Sequence, residues 1–211
     1  MKRWSPGFAY VIGLITADGC LSKDGRHIDF TSKDLLLVEA FKKILGLKNK
    51  IGFKGKGTYP KGQYYRIQFG EVKFYRFLLG IGLTPKKSKT ISALDIPDRY
   101  FVDFLRGYFD GDGFSYSYWD KRWKSSYMLY IGFASASRSY LIWLRDKIKV
   151  AWSIEGRIRA CGKTALQLAY AKKSSILLFK KMYYKDDIPC LERKRFKIMR
   201  SLGIIELLPG C

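Results

Sequence analysis

The stretch VIGLITADG at residues 11–19 is repeated as LRGYFDGDG at residues 105–113, 94 positions later in a chain of 211 residues. Both copies carry small residues four positions apart: Gly13 and Ala17, Gly107 and Gly111. Residues four apart share one face of a helix, and small residues there let a second helix approach closely. The repeat therefore predicts two helices packed side by side, with Asp18 and Asp112 brought together at their ends.

The aspartate near the end of each copy predicts a metal site. The C-terminal end of a helix carries about half a negative charge, which adds to the carboxylates of Asp18 and Asp112. Such a site repels phosphate unless cations occupy it, and oxygen ligands with open positions favour a hard divalent ion, Mg²⁺. Bound Mg²⁺ activates water and stabilises the leaving oxygen in phosphodiester hydrolysis. His27 is the only histidine, so a mechanism based on a histidine pair is excluded.

The two copies closely resemble the LAGLIDADG motif of homing endonucleases. The matching residues are Gly13, Leu14, Ile15, Ala17, Asp18 and Gly19, and Leu105, Gly107, Asp110, Asp112 and Gly113. The resemblance implies a monomer of two pseudo-symmetric halves that cuts both strands of a long DNA target, one strand per active site. Such enzymes spread mobile introns.

The resemblance also implies roles for particular residues. Asp18 and Asp112 match the acid that binds the metals, and Gly19 and Gly113 beside them complete the implied metal site. Each half of these enzymes contributes a basic residue late in the repeat, and by order these are Lys89 and Lys194. Their implied catalytic role is to orient water or to stabilise charge on the phosphate. Asp110 stands where the first copy has Thr16, so we interpret it as a packing residue.

The rest of the chain repeats one order of elements: helix, hairpin, helix, hairpin, helix. Hydrophobic periodicity and turn residues predict the first half as helices over 5–18, 34–45 and 72–79, with strands over 20–23, 27–32, 51–53 and 64–69. They predict the second half as helices over 98–110, 140–150, 174–183 and 192–202, with strands over 114–118, 127–135, 154–160 and 164–171. Ser5 and Pro6 are typical of a helix start.

The predicted fold class is therefore α+β, with two pseudo-symmetric αββαββα repeats. We expect the antiparallel sheets to form a DNA-binding saddle and the motif helices to pack at the interface between the halves. The expected domains are an N-terminal repeat over 1–83, a proline-containing linker over 84–97 and a C-terminal repeat over 98–211.

The charge predicts a polyanionic partner. Forty Lys and Arg residues against 18 Asp and Glu give a formal net charge of +22. Double-stranded DNA is the expected partner, and a membrane surface is not favoured because the basic residues are spread along the chain. The four scattered cysteines and the absence of an apolar run or signal peptide predict an intracellular, reducing compartment, either prokaryotic cytoplasm or an organelle.

Basic and amide side chains on the predicted hairpins are the candidate DNA contacts. They are Lys23, Arg26, Lys54, Lys56, Lys61, Arg66 and Gln68 in the first half, and Lys121, Arg122, Lys124, Arg157, Arg159, Lys163 and Gln167 in the second. Arg and Gln can address guanine and adenine edges, whereas Lys mostly neutralises phosphate. Any one of them is equally compatible with an ordinary surface position. Tyr116, Tyr118 and Trp119 lie among them, which indicates sheet packing or, with RNA, base stacking.

Three functions are compatible with the sequence. The leading one is a Mg²⁺-dependent, sequence-specific endonuclease with an asymmetric target, because the two halves differ at nearly every candidate contact. The alternatives are an intron RNA maturase and a regulator that binds DNA without cutting it. Acidic residues at both motif positions favour the endonuclease.

Overall fold

The protein consists of two similar halves whose first helices pack together. The computed structural model describes residues 3–56, 59–123, 126–162 and 164–206, and of residues 55, 56 and 59–63 it describes the backbone only. The first half contains α1 (Pro6–Asp18), β1 (Gly19–Leu21), β2 (His27–Ser32), α2 (Leu35–Leu45), β3 (Gly52–Lys56), β4 (Tyr59–Gly70) and α3 (Val72–Gly80).

The second half repeats this order and adds one helix. It contains α4 (Phe101–Asp112), β5 (Gly113–Trp119), β6 (Tyr127–Ser135), α5 (Arg138–Trp152), β7 (Arg157–Cys161), β8 (Ala165–Tyr170), α6 (Lys172–Met182) and α7 (Glu192–Glu206). A short 3-10 turn, Asp98–Tyr100, precedes α4. The predicted α+β fold of two αββαββα repeats is confirmed.

The two motif helices, α1 and α4, are parallel and in direct backbone contact. A Cβ atom on Gly107 would lie closer than 3.0 Å to the carbonyl oxygen of Tyr10, and one on Gly13 would overlap the carbonyl oxygen of Phe104. Farther along, Gly111 lies against Ala17. Because these contacts advance in the same direction along both helices, the helices end side by side.

Each half has one antiparallel four-stranded sheet. The strand order is β1-β2-β4-β3 in the first, which we call sheet A, and β5-β6-β8-β7 in the second, sheet B. Alternation sends Ile67 and Phe69 of β4 into the core and leaves Arg66 and Gln68 on the other face. We call this second face of each sheet the open face.

The helix boundaries follow from local chemistry. The Ser5 side chain accepts a hydrogen bond of 3.2 Å from the amide of Phe8, which caps the start of α1 as predicted. Gly46 ends α2 with φ of 65°, in the left-handed region that glycine adopts readily. The second motif helix was predicted over 98–110; it begins three residues later, after the 3-10 turn, and ends at Asp112.

Candidate active site

The parallel motif helices place Asp18 and Asp112 at one shared end. A Cβ atom on Gly111 would lie 3.2 Å from Asp18 Oδ2, so the Asp18 carboxylate rests against the last turn of α4. Asp112 is half-buried, whereas Asp18 opens to solvent. The small residues of the motif are therefore what allows the two acids to meet.

Burial makes both carboxylates costly to ionise, and repulsion from Asp18 adds to this cost for Asp112. Burial, followed by repulsion from Asp18, raises the pKa of Asp112 from 3.8 to about 6. The pKa of Asp18 is also raised, chiefly by burial, although part of its side chain reaches solvent. The negative ends of α1 and α4 point at the same place, so a cation is favoured there.

Two lysines lie beside the acids, and each hydrogen bonds to the carbonyl of a glycine that follows a motif aspartate. Lys87 Nζ donates to the carbonyl oxygen of Gly19. Lys194 Nζ donates to the carbonyl oxygen of Gly113 at 2.7 Å, and also to those of Phe109 at 2.7 Å and Gly111 at 3.0 Å. The three bonds from Lys194 fix its ammonium group at the C-terminal end of α4, where the last carbonyl groups of the helix are exposed.

Both lysines attract both acids of the cluster. The strongest attraction that lowers the pKa of Asp112 comes from Lys87, and the strongest one on Asp18 comes from Lys194. Burial lowers the pKa of Lys194 to about 8 and also lowers that of Lys87. Lys194 is attracted by Asp110 and Asp112 of its own half as well as by Asp18, so the two lysines together offset the negative charge of the cluster.

In the first half, the structure places a lysine other than the predicted Lys89 beside the acids. Lys89 is exposed to solvent, whereas Lys87, two positions earlier, is only 8% exposed and lies at the site. Lys86 adopts φ of 58°, and Lys87 then begins a turn in which its carbonyl oxygen accepts a hydrogen bond from the amide of Ile91 at 2.8 Å. The chain reversal at Lys86 accompanies the inward placement of Lys87.

The carboxylate of Asp110 connects α1 with the chain segment that precedes α7. It is buried, and its Oδ2 accepts hydrogen bonds of 2.7 Å from the Tyr10 hydroxyl and of 2.7 Å from the Leu191 amide. Burial raises the pKa of Asp110 to about 6 despite these donors. Thr16, its counterpart, instead donates to the Ile12 carbonyl 2.8 Å away. Asp110 therefore ties α1 to the segment before α7.

A fully buried arginine, Arg106, anchors the same segment. Its guanidinium donates to Asp103 Oδ1 at 2.7 Å and to the carbonyl oxygens of Met182 at 3.0 Å and Pro189 at 2.9 Å. A buried ion pair is tolerated only when its remaining donors are satisfied, as they are here. These bonds fix the segment between α6 and α7, and so the position of Lys194.

The donor set at the helix ends suits a hard divalent cation. The carboxylates of Asp18 and Asp112 and the carbonyls of Gly19 and Gly113 offer oxygen alone, the donor type that Mg²⁺ prefers. Across residues 3–56, 59–123, 126–162 and 164–206, no three His, Cys, Asp or Glu side chains gather into a metal site. An ion held by two carboxylates keeps open positions, which water and a phosphate oxygen can take.

The candidate DNA contacts fall into two groups. On the open faces of the sheets lie Lys54, Arg66, Gln68, Arg157, Arg159 and Gln167. In the turns at the ends of the first hairpins lie Lys23, Arg26, Lys121 and Arg122. Lys124 and Lys163, and the side chains of Lys56 and Lys61, lie outside the described residues.

Arg66 is held in place by a residue that sequence reasoning missed. Its Nη2 lies 2.6 Å from Asp29 Oδ2, and the Asp29 side chain is only 9% exposed. On the other side, the space at its cross-strand partner Gly52 is open. The only signal in the sequence was an acidic residue within a strand, where Asp is disfavoured.

Among the described helices, none has the length and apolar character needed to cross a bilayer.

Comparison with known proteins agrees with this architecture. Residues 5–82 match the family model of the LAGLIDADG-like domain. No curated protein sequence matches the chain.

Three solved structures share the fold. Full-length DUF199/WhiA from Thermatoga maritima has a TM-score of 0.58 at 17% identity, over 100% of this chain and 64% of that one. The homing endonuclease I-WcaI bound to its DNA recognition sequence has a TM-score of 0.65 at 14% identity, covering 94% and 88%. I-DmoI in complex with DNA and Mn has a TM-score of 0.56 at 15% identity, covering 86% and 98%.

The predicted resemblance is therefore confirmed: residues 5–82 match the LAGLIDADG-like domain, and the chain has the two-repeat fold seen in single-chain LAGLIDADG homing endonucleases.

Proposed function

We propose that this protein is a sequence-specific DNA endonuclease that hydrolyses both strands of an asymmetric target with a divalent metal, Mg²⁺. The observation that carries the proposal is the placement of Asp18 and Asp112 at the joined ends of α1 and α4, with Lys87 and Lys194 held beside them by the carbonyls of Gly19 and Gly113. A protein that only bound DNA would gain nothing from two partly buried carboxylates that repel phosphate. Bound Mg²⁺ would supply an activated water and a counter-charge for the leaving oxygen.

The protein's own residues would position the reacting groups. Asp18 and Asp112 would bind the cation through their carboxylates. The carbonyls of Gly19 and Gly113 lie next to them. Lys87 and Lys194 provide ammonium groups within the same cluster, where they can stabilise negative charge that develops on the phosphate. The likeness to WhiA as well as to homing endonucleases means that the fold alone does not decide whether DNA is cut.

The direct test is cleavage of a duplex DNA library in Mg²⁺, with cut ends recovered by sequencing and parallel reactions in EDTA. We expect a single long, asymmetric target that is cut in Mg²⁺ and bound but uncut in EDTA. Tight binding with no cleavage of any target in Mg²⁺ or Mn²⁺ would identify a DNA-binding regulator. Preferential binding of structured intron RNA would identify a maturase.

Salt dependence of binding tests the DNA-facing surface independently of cleavage. Each neutralised phosphate contributes about −0.9 to the slope of log K against log salt concentration. With basic residues on both open faces and in the turns, we expect a slope steeper than about −5, measured in EDTA by fluorescence anisotropy. A slope near −1 contradicts this surface.

Lys87, which is buried beside the acids, and Lys89, which is exposed, give a matched pair of variants. We expect Lys87→Met to slow cleavage about 100-fold, because a charge that faces the reacting phosphate is lost. Lys89→Met removes the same charge from an exposed position nearby, so its cleavage rate should stay within about twofold of the parent. Single-turnover rates at saturating protein measure both. Equal losses in the two variants would indicate instead that both lysines act by binding DNA.

A further inference from the structure

The open face of sheet B carries a continuous aromatic surface. Phe114, Tyr116 and Tyr118 follow one another on this face of β5, and Tyr130 joins them from β6. The Tyr116 and Tyr130 ring centroids are 4.9 Å apart with planes 12° from parallel. Phe114 and Tyr118 lie 6.1 and 6.3 Å from Tyr116, at 13° and 7°. We call these four rings the aromatic face.

The aromatic face is built into the sheet and accessible. Gly132 pairs with Phe114 across the strands, and a Cβ atom there would collide with the Phe114 ring, so glycine is what lets this ring lie against the backbone. Tyr118 is 46% exposed. By contrast, Leu129 and Ile131 of β6 point the other way and are fully buried. The four rings are therefore not required to fill the core.

The aromatic face is continuous with the candidate active site. β5 begins at Gly113, directly after Asp112, so Phe114 is two residues from a candidate metal ligand. Among the described side chains of this open face, the charged ones are Arg157 and Arg159, both on the edge strand β7. Arg159 Nη2 donates to the Tyr116 hydroxyl at 2.7 Å. Duplex DNA that lies across the site would therefore contact the aromatic rings of β5 and β6 next to the site, and the two arginines at the edge of the sheet.

The two open faces thus differ in chemistry. Sheet A presents Asp29, Arg66 and Gln68, which suit hydrogen bonding to polar base edges. Sheet B presents rings, with a cleft of about 560 Å³ beside Tyr130 that leads to the two arginines of β7. In the major groove of DNA, the apolar group available for contact is the C5 methyl of thymine. An apolar face can gain affinity by burying these methyl groups.

We propose that the aromatic face recognises thymine methyl groups, so that the half-target lying on sheet B is rich in A·T pairs. This inference rests on the proposed DNA binding and identifies the base chemistry that the second half reads. The half-target on sheet A should instead depend on polar contacts, with the Asp29-held Arg66 positioned to reach a guanine edge.

The test replaces thymine by deoxyuridine, which removes the methyl group and keeps base pairing. The target selected from the library is synthesised with this change in one half, in the other half or in neither. We expect the affinity in EDTA to fall about three- to fivefold per contacted thymine in one half only. In Tyr118→Ser, the affinity difference between the thymine and deoxyuridine forms of that half should become smaller, because one of the four rings is removed.

Trp119→Ser is the matched control, because Trp119 is 48% exposed but points to the opposite face of β5. This variant should keep the full dependence on thymine. Specific binding that is indifferent to deoxyuridine in both halves would overturn the methyl inference while leaving the endonuclease proposal intact. Failure to bind any duplex would overturn both. Tyr118-dependent preference for single-stranded RNA would replace methyl contact by base stacking.

Discussion

Replacing either motif aspartate by asparagine should abolish cleavage and make the protein more stable. For Asp18→Asn and Asp112→Asn we expect loss of at least 1000-fold in single-turnover rate, on the order expected when charge stabilisation is removed from a phosphoryl-transfer site. Affinity for the target in EDTA should be kept or increased, since a negative charge facing DNA has been removed. Loss of cleavage with intact binding separates a catalytic from a structural role.

The stability effect has a definite pH dependence. Burial raises the pKa of Asp112 to about 6, above its value of 3.8 in the unfolded chain, so the folded protein binds the proton more tightly. The stabilisation from the protonated form is complete below about pH 3.8 and is lost as the pH rises through 6. At pH 7, the free energy of unfolding of Asp112→Asn should therefore exceed that of the parent by about 1–2 kcal/mol after allowance for solvent screening. The variant should accordingly unfold at a higher temperature.

Glu39→Gln is a suitable control, because it makes the same chemical change at an exposed position of α2. It should alter neither cleavage nor the pH dependence of melting. An Asp112→Asn protein that still cuts both strands would remove the aspartate pair from the mechanism. Equal melting temperatures of Asp112→Asn and the parent from pH 4 to 7 would contradict the electrostatic cost assigned to this carboxylate.

A single methyl group between the motif helices should be strongly destabilising. In Gly107→Ala the new Cβ would lie closer than 3.0 Å to the carbonyl oxygen of Tyr10, which is backbone and cannot rotate away. The helices must separate, and we expect a loss of about 3 kcal/mol in the free energy of unfolding. Because separation also moves Asp18 from Asp112, cleavage should fall further than binding does.

Gly203→Ala is the matched control for this substitution. Gly203 lies within α7, and a Cβ atom there would meet nothing within 4 Å. The same change should therefore gain about 0.5–1 kcal/mol through helix propensity. Urea unfolding of both variants gives the comparison. A Gly107→Ala protein as stable as the parent would show that the motif helices are not in backbone contact.

The fold was predictable because several kinds of sequence signal agreed. Small residues four apart located the helix interface, alternation in β4 separated core from open face, and glycine and proline marked the ends of elements. The pairing of Asp18 with Asp112 followed from the repeat itself. Local patterns were sufficient here because each signal acts within a few residues.

The details of the site depended on contacts that local patterns do not encode. Lys86, Lys87 and Lys89 are chemically alike, so the sequence does not indicate which of them turns inward. The left-handed backbone conformation at Lys86 could not be predicted either, because no glycine stands at that position. Asp29 gains its role from Arg66, 37 positions away. In the sequence, the aromatic face is visible only as separate aromatic residues, which are compatible with sheet packing or with base stacking. Strand register is what places Tyr130 against Tyr116.

The hydrogen bond between Tyr10 and Asp110 restricts which halves can be exchanged between proteins of this fold. A chimera that takes its first half from another protein must supply a donor at position 10, because otherwise the carboxylate of Asp110 keeps only the Leu191 amide. Grafted first halves with phenylalanine there should express poorly unless Asp110 is changed as well. New combinations of halves must therefore match this pair of side chains, as well as the small residues of the motif helices, before any DNA contact is considered.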